Sequence, residues 1–101
     1  MASLFGIVLL LLTSLAWGGS IVVMGDSLSA AYGIPRQQGW VALLEKRLDE
    51  HNLDFEVVNA SISGETTHGG ITRLPAILDQ YKPTLVLLEL GANDGLRGAP
   101  L

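Results

Sequence analysis

The spacing of hydrophobic and polar positions changes along the chain, and each change marks an element. Ile21-Val22-Val23-Met24 is a short unbroken apolar run that leads into Gly25-Asp26-Ser27-Leu28-Ser29. Such a run, closed by glycine and small polar residues, predicts a buried β-strand that ends in a loop. Residues 27–36 form a loop or short helix, with Gly33 and Pro35 marking a turn. From Gly39 to Glu50 the period becomes helical. Trp40, Leu43, Leu44, Arg47 and Leu48 fall at i, i+3, i+4, i+7 and i+8, while Glu45, Lys46, Asp49 and Glu50 lie on the other face. This predicts an amphipathic helix with Trp40 and the leucines beside it in the core.

Phe55 to Ala60 reads as a second strand and Ser61 to Gly64 as a loop. Thr67 to Tyr81 predicts a second helix that buries Ile71, Leu74, Ile77 and Leu78. Pro75 has no amide to give the preceding turn, so a kink or restart is expected there. Thr84 to Leu90 is a continuous apolar run with Glu89 near its end, which predicts a third strand buried on both faces. Gly91-Ala92-Asn93-Asp94-Gly95 follows as a loop.

The order is β-α-β-α-β, and right-handed crossovers make such strands parallel. Parallel strands bring the loops after all three to one edge of the sheet. Those loops are Gly25-Asp26-Ser27, Ser61-Ile62-Ser63-Gly64 and Gly91-Ala92-Asn93-Asp94. In open α/β sheets that edge is where ligands bind.

Composition adjusts this picture at the N-terminus. No charged side chain precedes Asp26, Leu4 to Leu12 is an apolar core, and Ala16-Trp17-Gly18 offers small residues where a signal peptidase reads. Residues 1–18 therefore read as a secretory signal peptide, with an uncleaved membrane anchor as the alternative. The folded part, residues 19–101, is expected outside the cytoplasm, periplasmic or secreted. With 101 residues, 49% hydrophobic and 16% charged, the chain is at most one domain and is not disordered. It has no cysteine, which excludes disulfides and thiolate metal sites. The net charge of −4 and six scattered basic residues leave no face for nucleic acid. Neither glycine-rich nucleotide motif is present.

Serine-based ester hydrolysis needs a hydroxyl, a base and donors aimed at the developing oxyanion. Ser27 offers the hydroxyl and, at a helix start, its own amide. Gly64 can present an amide with no side chain in the way. Asn93 can aim its side-chain NH₂ at the same point. Taken singly, Ser27 is a helix cap, Gly64 a turn glycine and Asn93 a turn residue. Asp26 and Asp94 are expected to bond loop amides rather than magnesium. His51 ends a helix far from this edge; His68 lies nearer, in a helix start, with no partner acid indicated.

Gly25-Asp26-Ser27-Leu28-Ser29 resembles the first block of the SGNH (GDSL-type) hydrolases. Asn59-Ala60-Ser61-Ile62-Ser63-Gly64-Glu65-Thr66-Thr67 resembles their second, and Gly91-Ala92-Asn93-Asp94-Gly95-Leu96-Arg97-Gly98 their third. The likeness runs from Ile21 onward and is nearest to the bacterial periplasmic arylesterase, acyl-CoA thioesterase and lysophospholipase group. It implies a flavodoxin-like three-layer α/β/α sandwich around a parallel sheet. It also implies Ser27 as nucleophile, Gly64 and Asn93 in the oxyanion hole, and Asp26 as a loop-ordering residue. The substrate would be a small acyl ester, thioester or lysophospholipid, with no cofactor, no metal, and membrane contact only through an uncleaved N-terminal segment.

One departure stands out. The family takes its base and orienting acid from an Asp-x-x-His block, and none occurs in these 101 residues. The chain therefore reads as the N-terminal portion of a hydrolase, truncated after the third strand, with the Thr84–Leu90 edge exposed and poorly soluble. A catalytically silent fragment and a flavodoxin-like small-ligand module are the alternative functions.

Overall fold

The computed structural model describes residues 18–98. The signal-peptide reading falls almost wholly on residues 1–17, outside that range. Among the described residues no helix is long and apolar enough to cross a membrane.

The first apolar run forms β1, Ser20–Gly25. It is the centre of a three-stranded parallel sheet in the order β2-β1-β3, with β2 at Glu56–Asn59 and β3 at Leu85–Glu89. Because β1 is central and a crossover helix lies on each face of the sheet, its side chains fill the core. Ile21, Val22, Val23 and Met24 are all at most 5% exposed. Each such side chain contributes about 1.5–3 kcal/mol on burial, so this strand supplies the largest share of the hydrophobic driving force.

Two helices make the crossovers: α1, Trp40–Glu50, joins β1 to β2, and α2, Thr67–Tyr81, joins β2 to β3. One step goes from β1 outward and the other returns across β1. Right-handed crossovers taken in opposite directions put α1 and α2 on opposite faces of the sheet. A turn of 3-10 helix, Arg36–Gln38, precedes α1, and the short α3, Ala92–Leu96, follows β3.

Three expectations need correction. In α1 the buried residue is Val41, whereas Trp40 and Leu43 are 37% and 53% exposed. Trp40 turns toward the loop after β1, where its indole N–H has a partner, and this rotates the helix off the predicted stripe. Next, β3 is not covered on both faces: Leu85 and Leu88 are exposed, as are Ile71 and Leu78 of α2. An apolar run reports a capacity for burial, and Leu85 and Leu88, which project to opposite faces of the strand, show that among the described residues neither face of β3 is fully covered. Finally, of the kink or restart expected at Pro75, the restart is absent: α2 continues through that residue. Thr66 caps α2 by accepting from the Gly69 amide at 3.2 Å, and the helix ends with Lys82 in the left-handed region at φ 43°.

Candidate active site

With the order β2-β1-β3, the connections leaving β1 and entering β3 run in opposite directions. A crevice therefore opens at the carboxyl ends of these two strands, the switch point where doubly wound sheets hold ligands. Ser27 follows β1 there, and Asn93 and Asp94 follow β3.

The loop after β1 is built from short local bonds. Asp26, fully buried, accepts from the Leu28 amide through Oδ1 at 3.1 Å. That carboxylate-to-amide turn leaves Ser27 half-buried at the apex. Ala30 N–H donates to the Asp26 carbonyl at 2.9 Å and Tyr32 N–H to the Ser27 carbonyl at 3.1 Å, so the turn winds on like a helix start.

The second loop is strapped to the first. The Gly25 amide donates to Ser61 Oγ at 3.0 Å, and the Ile62 amide donates to the Gly25 carbonyl at 3.0 Å. Gly64 sits at φ 83°, a left-handed conformation that disfavours any side chain. Behind it Glu65 pairs with Arg73 at 3.0 Å, and Arg73 also donates to the Ala60 carbonyl at 2.8 Å.

The third loop closes on the second. Asn93 Nδ2 donates to the Glu65 carbonyl at 3.0 Å, and Arg97 donates to the Gly64 carbonyl at 3.2 Å. The carboxylate of Asp94, itself buried, accepts from the Thr67 amide at 2.9 Å and also from the Thr67 hydroxyl. The hydroxyl bond above all, then the amide bond, holds the Asp94 carboxyl below the usual carboxylate range, and Arg97 adds to the effect. Asp26 thus bonds a loop amide, as expected, whereas Asp94 bonds the first amide of α2.

These straps gather Ser27, Gly64 and Asn93 at one edge of the sheet. Asn93 spends one of its two N–H donors on Glu65, and among the described residues the other has no partner. The two histidines are not gathered. His51 ends α1, which runs antiparallel to the strands, so it lies toward the opposite edge and is exposed. His68, near the start of α2 on the site side, is exposed as well.

Sequence reading missed a polar layer beneath the Ser27 turn. Glu89 Oε1 accepts from Ser29 Oγ at 2.9 Å and from the Asp26 amide at 3.4 Å. Ser29 Oγ in turn accepts from Trp40 Nε1 at 3.0 Å, and the Ser29 carbonyl accepts from Asn59 Nδ2 at 2.8 Å. The available signal was a charged residue, Glu89, inside an otherwise apolar run.

A three-stranded parallel sheet with crossover helices and loops gathered at its switch point defines an α/β protein of the doubly wound kind. The family model for GDSL-like lipases and acylhydrolases matches residues 23–101, and the chain belongs to that family. It is 59% identical over 90 residues to Esterase TesA of Pseudomonas aeruginosa, covering 89% of this chain and 45% of that relative. It is 51% identical over 79 residues to thioesterase 1/protease 1/lysophospholipase L1 of Escherichia coli, covering 78% and 36% respectively. Among solved structures, the psychrotrophic esterase EstA from Pseudoalteromonas sp., described as inhibited by monoethylphosphonate, superposes with TM-score 0.75 at 57% identity. That match covers 80% of this chain and 44% of EstA. The chain spans less than half the length of these relatives.

Proposed function

We propose that the protein is a serine ester hydrolase in which Ser27 is the nucleophile. Ser27 Oγ attacks the acyl carbonyl carbon and gives up its proton to a base. The carbonyl oxygen, now negative, accepts from the Ser27 amide, the Gly64 amide and the free N–H of Asn93. Collapse expels the alcohol or thiol, which takes the proton and leaves an acyl-serine. Water then gives a proton to the base and attacks the acyl-serine; the Oγ–acyl bond breaks, the carboxylic acid leaves, and Ser27 Oγ takes the proton back. The substrates are small acyl esters, thioesters or lysophospholipids.

The observation that supports this reading is the convergence of the three loops at the switch point, bound to one another through the Gly25, Gly64 and Glu65 backbone. Relatives named as esterases and a thioesterase support the same class of chemistry. Inhibition of EstA by a phosphonate supports an activated nucleophile in that enzyme.

The base is a separate matter. These 101 residues contain no Asp-x-x-His, and both histidines are exposed. In this reading the base and its orienting acid come from an Asp-x-x-His segment outside them, and the 101 residues alone are catalytically silent. Loss of a triad base typically lowers the rate by several orders of magnitude. A fluorophosphonate probe applied to the full-length protein tests the nucleophile. Peptide mapping should find the adduct on Ser27, and Ser27→Ala should abolish both labelling and p-nitrophenyl ester turnover. Labelling elsewhere, or turnover that survives Ser27→Ala, would overturn the assignment. Export belongs to the same reading, and N-terminal sequencing of the mature protein should begin at Gly19 if residues 1–18 are cleaved.

A further inference from the structure

Glu89 is the last residue of β3, and parallel pairing sets it directly beside Gly25. The space between them exists because Gly25 has no side chain: a Cβ there would lie 2.9 Å from Glu89 Oε1 and 2.4 Å from Ser29 Oγ. Into that space Glu89 puts one carboxylate oxygen, which takes the Asp26 amide at 3.4 Å and the Ser29 hydroxyl at 2.9 Å. Asp26 and Ser29 flank Ser27, one residue before it and two after. A single acceptor atom therefore pins both ends of the turn that carries the hydroxyl.

We propose that Glu89 is a positioning residue for Ser27, an inference that rests on the reading of Ser27 as nucleophile. The Ser29 hydroxyl already accepts from Trp40 Nε1, so its own proton points to Glu89 and its rotation is fixed. The Ser29 carbonyl is held by Asn59, whose Oδ1 accepts from the Ser61 amide at 3.2 Å. The constraint set by Glu89 thus extends from the nucleophile turn to the loop carrying Gly64. A carboxylate beside this turn repels a developing oxyanion, so its contribution is geometric rather than electrostatic. Misplacement of a reacting group by about 1 Å lowers a rate by roughly 10²-fold.

The test uses full-length protein with three readouts: the rate of Ser27 phosphonylation, kcat and KM for a p-nitrophenyl ester, and the thermal midpoint. Glu89→Ala and Glu89→Asp should lower phosphonylation and kcat by roughly 30- to 100-fold, with KM within about twofold of the parent. Glu89→Asp keeps the charge and withdraws the acceptor by one methylene. Glu89→Gln keeps an acceptor oxygen at the same reach and should restore both rates to within about threefold. A purely structural role would lower the midpoint and leave the rates of the folded variants unchanged, which overturns the proposal. A loss in Glu89→Gln as large as in Glu89→Ala, with Glu89→Asp spared, would overturn it too, by making the charge decisive. If Glu89→Ala does not fold, the Asp and Gln pair decides. Parent protein that is not labelled at Ser27 sinks the nucleophile reading and this inference with it. Labelled parent with indifferent variants sinks the inference alone.

Discussion

Gly25→Ala places one methyl group where β1 meets the nucleophile turn. The added carbon would lie 2.4 Å from Ser29 Oγ, 2.7 Å from Ser29 Cβ and 2.9 Å from Glu89 Oε1. Ordinary contact needs about 3.5–4.0 Å, so Ser29 must move. Its hydroxyl cannot swing away freely, because it donates to Glu89 and accepts from Trp40. Losing these two bonds costs about 0.5–1.5 kcal/mol each. Overpacking a filled site adds about 1–3 kcal/mol, and the stiffer unfolded chain returns about 0.4–1 kcal/mol. The expected net loss is about 2–4 kcal/mol, read as a lower urea midpoint by far-UV circular dichroism. The same substitution in a Ser29→Gly background meets only the tip of the Glu89 side chain and should lose less than about 1 kcal/mol. The double-mutant cycle should therefore show coupling of at least about 1 kcal/mol. Equal losses in the two backgrounds, within about 0.5 kcal/mol, would refute the claim that Gly25 exists to admit Ser29.

Two further outcomes follow from single contacts. The depressed Asp94 carboxyl contributes stability that is complete above the unfolded value, about 3.9, and is lost as pH falls through the lower folded value. Thr67→Val removes the hydroxyl that is the largest single cause of the shift. The urea midpoints of parent and variant should differ at pH 6–7 and converge below about pH 4. A gap that stays constant across that range would count against the link. Lys82 sits in the left-handed region at φ 43°, so Lys82→Gly should raise stability by about 0.5–1 kcal/mol in thermal melts; a fall would show that the strain lies elsewhere.

The strands, the crossover helices and the shared edge of the three loops were legible because each rests on local periodicity and on the handedness of β-α-β units. The family blocks were legible as runs of adjacent residues. The bonds that hold the site together were not. Glu89 and Ser29 are 60 positions apart, and no local pattern announces such a pair. Glu89 read as a flaw in an apolar run, whereas register makes it a neighbour of Gly25. Trp40 was misread for a related reason. Helical spacing counted it as core, but the indole N–H needs an acceptor, and Ser29 Oγ lies toward the loop. The faces of Leu85 and Leu88 were misjudged because hydrophobicity says what a residue can bury, not whether a neighbour covers it.

The central position of β1 also has a consequence for the order of events at the ribosome. Its first neighbour, β2, begins to pair at Glu56, and its second begins at Leu85, the partner of Ile21 and 64 positions later. At about 5–20 residues per second, roughly 3–13 s separate the emergence of the most deeply buried strand from that of its last partner. During that interval Ile21–Met24 is a bare, aggregation-prone edge of the kind that chaperones bind. Glu89 arrives with that second partner, so the serine turn acquires its anchor only once β3 has emerged.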